Sequence, residues 1–530
     1  MRLRLPPFTS QSAAPATLKL LAVLWALLAL AAVFMMTLAT DEAWVLNGLR
    51  SALGPAVPHL STELIGTSGG PFAVANLVIE RLAGSSVSLH RLPSLLCLAL
   101  SFALVLTTLA GQGMRSVKWL MLAPLMATPG AVEVGTAALG TSTGVLLMTA
   151  SAMVWTSPRL SPAVRWIAGG LLSGLAAASR FDLVLFGPAV LVASSLRWVT
   201  PGQVEVRMDR HAWAFVAIGA GIFLLNQWLV TVPANAVFPD SVVASTGLGG
   251  WALNYPKLLN HWSTLSTFAP LSLLAVMAVA AFWFAPSAAP RSSTEIPRLE
   301  SVLAVAGVAL LVAWVLRAPI PHLRYAFPAL FCFSALGAIG LGHLAARALS
   351  DGNLRHWQLC HCIGIACLVG SVGTTMRSLV MSDSDYASWE WSNEIPYDYF
   401  RRFEARQHQA EIANYLRHEL PADARLYSYF PYILRYLVER PVVALDAVPS
   451  ADGAAQHPRR YLVLTPAVGT FFYLSPEVAD WLRTNAKLTK EIGRYSVYQL
   501  PPGGDNDLAI LRPSRTNYIH HPDSKPWSGR

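Results

Sequence analysis

Apolar runs of about 20 residues recur along the first 380 positions, and a run of that length is what an α-helix needs to cross a bilayer. They lie near 18–39, 91–111, 116–134, 138–156, 164–180, 182–199, 212–231, 266–286, 301–317, 325–345 and 357–380, eleven in all. In such a solvent every backbone polar group must be satisfied within the segment, so the runs predict helices. Only 13% of the residues are charged, against about 25% in ordinary soluble domains. The expected fold is therefore a polytopic α-helical membrane protein, and a soluble globular enzyme is excluded. The first run follows Arg2 and Arg4 and is too long for a signal peptide, so it reads as a signal anchor that stays as the first span.

Charge sets the expected orientation. Up to Ser382 there are 22 Lys and Arg against 12 Asp and Glu, whereas from Asp383 onward there are 17 against 18. The basic excess belongs to the membrane part, which points away from nucleic acid and toward topology. With the N-terminus in the cytoplasm, short loops on that side carry Arg115, Lys118, Arg159, Arg165, Arg197, Arg207, Arg210, Arg291, Arg298, Arg347 and Arg355. With Arg2, Arg4 and Lys19 that side has 14 basic residues, and the other side has 7, on longer loops. This places the C-terminal part outside. The five cysteines all lie in apolar runs, and Cys360, Cys362 and Cys367 read as helix packing rather than a disulfide framework or metal site.

Three regions stand outside the apolar runs. The loop 40–90 carries Asp41-Glu42, a short amphipathic segment Leu46–Leu53, a Gly-rich stretch at 66–70 and a semi-apolar run Phe72–Leu82 expected in the membrane interface. The loop 232–265 is long and polar enough to be functional. Beyond about 382 the pattern turns to alternating strands and helices. It reads as a helix over 400–420 stopped by Pro421, strands at 425–429, 442–445 and 461–465, helices at 431–438 and 476–484, and a hairpin over 487–500. That is a small C-terminal α/β domain. The expected division is a membrane domain over 1–381, an outer α/β domain over 382–500, and a disordered Pro/Gly/Asp-rich tail over 501–530.

Two adjacent carboxylates at the mouth of a span are costly and need a reason. Asp41 and Glu42 are the catalytic candidates, because a carboxylate at a lipid–water boundary can serve as a general base. A helix cap or an interfacial charge reaching to water is the plainer alternative. A second group on the same expected side is basic: Arg91, Arg180, Lys257, His261, Arg317 and Arg324, with His90 and His322 nearby. Fixed positive charge suits a leaving phosphate. For Arg91 and Arg317, flanking of helix ends competes with that reading. For Arg180, an ion pair with Asp182 competes. Glu133 and His261 are the candidates for a divalent-cation site. Trp251, Tyr255 and Trp262 are either sugar-stacking or interface-belt aromatics.

Four stretches resemble the GT-C membrane glycosyltransferases, in the branch of protein O-mannosyltransferases and aminoarabinose transferases. Thr40-Asp41-Glu42-Ala43-Trp44 is similar to the acidic motif that opens the first outer loop. His90-Arg91-Leu92-Pro93-Ser94-Leu95-Leu96 is similar to the Arg-Leu-Pro-Ser segment that opens the second span. Arg324-Tyr325-Ala326-Phe327-Pro328 resembles the Arg-Tyr-x-x-Pro stretch of a late span, and 412–500 resembles the outer domain. The resemblance implies a polyprenyl-phosphate sugar donor, a glycan, lipid or protein acceptor, and inversion on the periplasmic face of a bacterial inner membrane. Asp41 would be the acidic-motif residue, acting as base or orienting the acceptor, Arg324 and Arg91 would steady the phosphate, and Tyr325 would join them in binding substrate. Many relatives carry Lys-Pro in the first loop, where this chain reads Gly69-Gly70-Pro71-Phe72, and their metal ligands have no match here. A lipid-linked-sugar transporter, which needs charges at the bilayer midplane, and a non-catalytic envelope assembly protein are the competing classes.

Overall fold

The computed structural model describes residues 16–35, 40–53, 70–84, 86–109, 115–132, 134–200, 203–206, 209–230, 297–317, 323–380, 403–429, 431–438, 440–445, 458–465, 476–493 and 495–511. The membrane part is built of α1 (Ala16–Met35), α2 (Thr40–Leu53), α3 (Gly70–Ala83), α4 (Val87–Leu106), α5 (Arg115–Met126), α6 (Thr141–Thr156), α7 (Pro162–Ser179), α8 (Phe186–Ser195, entered by a 3-10 turn Phe181–Leu185), α9 (Arg210–Val230), α10 (Leu299–Arg317), α11 (Leu323–Ser350) and α12 (Leu354–Val380). A helix therefore stands at each apolar run except 266–286, which lies outside the described residues. Among the described residues, three stretches are long and apolar enough to cross a membrane: Ala16–Phe34, Val87–Leu106 and Ala326–Ser350.

Small residues let the helices approach closely. On α7, a Cβ at Gly170 would lie 2.7 Å from the Phe215 carbonyl oxygen of α9, and one at Gly174 would lie 2.6 Å from that of Gly219. This four-residue spacing brings the two backbones together by dispersion packing, the main attraction left between helices in lipid. Polar side chains add staples. The Trp25 indole of α1 donates to Ser371 Oγ of α12 at 3.1 Å, and Ser371 donates to the Met126 carbonyl at 3.0 Å. Ser161 caps α7 by accepting from the Val164 amide at 3.4 Å, and Pro162 takes the first helical position, where it has no hydrogen bond to lose.

The run 182–199 does not stay helical to its end. Leu196–Thr200 (β1) and Gln203–Val206 (β2) pair antiparallel, Leu196 opposite Val206 and Thr200 opposite Gln203. The aromatic and β-branched residues Trp198, Val199, Val204 and Val206 favour strand over another helical turn.

The C-terminal part follows the expected alternation closely: α13 (Phe403–Asn414, continued by a π turn to Glu419), β3 (Arg425–Ser428), α14 (Tyr432–Val438), β4 (Val442–Ala444), β5 (Arg460–Leu464), α15 (Pro476–Asn485), β6 (Lys487–Ile492) and β7 (Tyr495–Leu500). The sheet order is β4-β3-β5-β7-β6, with β3 parallel to β4 and β5, and β7 antiparallel to β5 and β6. Central strand β5 is buried at every position, as expected for a strand covered on both faces. Tyr461 and Val463 face Ile412 and Leu416, while Leu462 and Leu464 face Val478 and Leu482. Each such buried aliphatic contributes roughly 1.5–3 kcal/mol.

The sequence boundary at 500 is too early. Buried Arg460 donates to the carbonyls of Pro501 and Gly504, and Leu508 and Leu511 are fully buried against the second face of the sheet. The ordered chain thus continues to Leu511. Residues 512–530 lie outside the described residues.

Candidate functional site

The first two motifs of the resemblance meet in space. Glu42 is the third residue of α2, and Arg91 is the fifth of α4. Arg91 Nε donates to Glu42 Oε1 at 2.8 Å and Nη2 donates to Oε2 at 2.6 Å, a two-point fork. The side chains are 0% and 1% exposed. The Ala138 amide, from the turns before α6, donates to Oε1 at 2.7 Å, and Arg91 Nη1 donates to the Val33 carbonyl of α1 at 3.3 Å. Glu42 thereby binds the start of α2 to three other segments. The sequence reading set Glu42 beside Asp41 as a catalytic group and aimed Arg91 at a phosphate. The structure instead joins Glu42 and Arg91 to each other.

A second network lies about two helical turns further along α2. Arg50 Nε donates to Glu80 Oε1 at 3.1 Å, and Glu80 Oε2 is 2.7 Å from His90 Nε2. Asn76 Nδ2 donates to the Phe72 carbonyl at 3.0 Å, which leaves Asn76 Oδ1 to accept from His90 Nδ1 at 2.9 Å. Both ring nitrogens of His90 thus lie within hydrogen-bond distance of a side-chain oxygen. Burial acts most strongly on the Glu80 carboxyl and would raise its pKa, but the hydrogen bonds and charges of His90 and Arg50 together hold it below its usual range. The semi-apolar run Phe72–Leu82 hides this carboxylate. The sequence reading missed Glu80 and Asn76, and a single acid inside an apolar interfacial run was the available signal.

The C-terminal domain reaches this network. Arg50 Nη1 donates to the Tyr436 carbonyl at 3.1 Å, and its guanidinium lies 4.0 Å over the Tyr436 ring. Around that contact Ile433 and Tyr436 of α14 pack with Val45, Leu46 and Leu49 of α2 and Phe72 of α3.

Arg180 forms a third cluster. Its Nε lies 2.8 Å and 2.9 Å from the two Asp182 oxygens, and Nη1 donates to Thr141 Oγ1 at the start of α6. The ion-pair alternative for Arg180 is thus realised. Gly70, at φ +59°, opens α3 against the end of α7, where a Cβ would sit 3.1 Å from the Ala178 Cβ.

Asp41 is the second residue of α2, Arg317 ends α10, and Arg324 and Tyr325 begin α11. Their side chains lie outside the described residues, as do Glu133, Lys257 and His261. Among the described residues no group of three or more His, Cys, Asp or Glu could hold a metal ion.

No protein-family model matches the chain, and no curated protein matches it in sequence. Solved structures do. ArnT from Cupriavidus metallidurans bound to undecaprenyl phosphate aligns at 13% identity over 92% of this chain and 98% of that one, with a TM-score of 0.56. ArnT in the apo state aligns at 13% identity over 94% and 99%, with a TM-score of 0.55. The archaeal oligosaccharyltransferase AglB from Archaeoglobus fulgidus, in complex with an inhibitory peptide and a dolichol-phosphate, aligns at 11% identity over 81% and 64%, with a TM-score of 0.44. This chain is mostly helical with a small C-terminal sheet, and its fold is similar to that of ArnT.

Proposed function

We propose that the protein is a membrane glycosyltransferase that moves a sugar from a polyprenyl-phosphate donor to an envelope glycan, lipid or protein acceptor on the periplasmic face, with inversion. The observation that carries the reading is the meeting of the acidic motif with the Arg-Leu-Pro-Ser segment at Glu42 and Arg91, within a chain that aligns end to end with ArnT. Glu42 is spent on holding α2, so its neighbour Asp41 is the carboxylate assigned to chemistry. The acceptor hydroxyl attacks the anomeric carbon, Asp41 takes its proton, and the bond to the phosphate oxygen breaks with its electron pair leaving on polyprenyl phosphate. Arg324 with Tyr325, and Lys257, His261 and Arg317 from the other outer segments, are assigned to the donor phosphate and sugar. That ArnT is bound to undecaprenyl phosphate supports this donor class.

The same reading keeps eleven spans over 1–381, the N-terminus in the cytoplasm of a bacterial inner membrane, and a periplasmic domain from 382. A divalent cation is assigned no step.

The test compares envelope glycans by mass spectrometry in wild type, a deletion, and the deletion carrying Asp41→Asn. Loss of one sugar mass from one glycan in both mutant strains is the expected result. A wild-type pattern from Asp41→Asn would remove the carboxylate from catalysis and favour transport or assembly.

A further inference from the structure

We infer that Tyr436 and Arg50 are positioning residues, through which the C-terminal domain fixes the acidic-motif helix α2. The inference deepens the glycosyltransferase reading and rests on it for the activity readout only.

Helix α14 is seven residues long and buries two faces. Leu434 and Val438, four residues apart, enter the sheet core with Leu426 and Val463. Ile433 and Tyr436, three apart, pack on Val45, Leu46 and Leu49 of α2. The sheet therefore seats α14, and α14 seats α2. A helix of 14 residues is marginal in isolation, so its place must come from what it packs against.

Arg50 locks this seat. One guanidinium makes three contacts: Nε to Glu80 of α3, Nη1 to the Tyr436 carbonyl, and its plane over the Tyr436 ring. Glu80 in turn holds His90, the residue before Arg91. The far end of α2 is fixed by Arg50, and the near end by Glu42 and Arg91. Asp41 sits at the near end, so both anchors bear on where its carboxylate points.

The Tyr436 phenol oxygen is buried and has no hydrogen-bond partner among the described residues. The clamp thus uses the ring and the main chain of Tyr436, and the hydroxyl adds nothing to it. This makes Tyr436→Phe a conservative variant that separates positioning from direct contact with substrate.

The test uses the full chain in detergent micelles. Lipid extracted from the deletion strain supplies the donor, and release of polyprenyl phosphate is followed. Tyr436→Ala and Arg50→Gln should lower kcat about 100-fold, the cost of a misplacement of about 1 Å at a reacting group, with KM changed less than about threefold. Tyr436→Phe should restore the wild-type rate. Hydrogen–deuterium exchange, read independently of activity, should rise across residues 40–53 in Tyr436→Ala and Arg50→Gln but not in Tyr436→Phe. Wild-type kcat in Tyr436→Ala overturns the inference, as does an equal loss in Tyr436→Phe or unchanged exchange over 40–53. If wild-type protein releases no polyprenyl phosphate, the glycosyltransferase reading fails instead, and exchange alone then decides the clamp.

Discussion

Replacing Arg91 by Ala breaks a fully buried ion pair, and the structure sets the size of the loss. Glu42 and Arg91 are 0% and 1% exposed and share two charge-assisted bonds at 2.6 and 2.8 Å. Removing one partner of a buried pair leaves an uncompensated charge and costs about 3–5 kcal/mol. Counting hydrogen bonds instead, two at about 1.5–3 kcal/mol each give a similar range. Arg91→Ala still leaves Glu42 the Ala138 amide, which places the expectation toward the lower end, about 3 kcal/mol. The assay is a double-mutant cycle of Arg91→Ala, Glu42→Gln and the pair, read from denaturation of purified protein in detergent micelles. The double variant should lose little more than either single one, a coupling of at least about 2 kcal/mol. Arg91→Lys should recover less than half of the loss, because an ammonium cannot reproduce the planar fork. Strictly additive losses, or an Arg91→Ala loss below about 1 kcal/mol, would refute the reasoning.

The remaining predictions concern the network, two close approaches and the chain end. Glu80 has a folded pKa below its usual 4.5, so its contribution is fully present above that value and is lost as pH falls through the depressed folded value. A thermal midpoint scanned downward from about pH 6 should show this acid-side loss, and Glu80→Gln should remove it. Gly70→Ala should cost about 1–2 kcal/mol through its positive φ, measured by the same denaturation. Gly174→Leu should separate α7 from α9 and lower the yield of monodisperse protein on size-exclusion chromatography. Arg460→Ala should release residues 501–511, read as a rise in hydrogen exchange there with the sheet still protected.

The helical runs and the C-terminal alternation were legible because each is local. A period of 3.6 or 2 and a stop at Pro421 need no knowledge of the rest of the chain. The strand pair β1–β2 was legible in principle, through its aromatic and β-branched residues, but the apolar run before it hid the change of period. The site was legible only as a set of residue types. Nothing local distinguishes an Arg91 aimed at a phosphate from one aimed at Glu42, because the partner lies 49 residues away. Glu80 was obscured by its apolar neighbours, and Tyr436 by a separation of 386 residues from Arg50.

That last separation has a consequence for biosynthesis. At about 5–20 residues per second, the ribosome needs about 20–80 s to travel from Arg50 to Tyr436. Throughout that interval the acidic helix has already been made but lacks its seat. The nascent chain is then unfinished at α2, which is seated only once α14 and the sheet that carries it have been made and folded. Such a chain carries its own delay, keeping α2 from its final seat until the C-terminal sheet has formed.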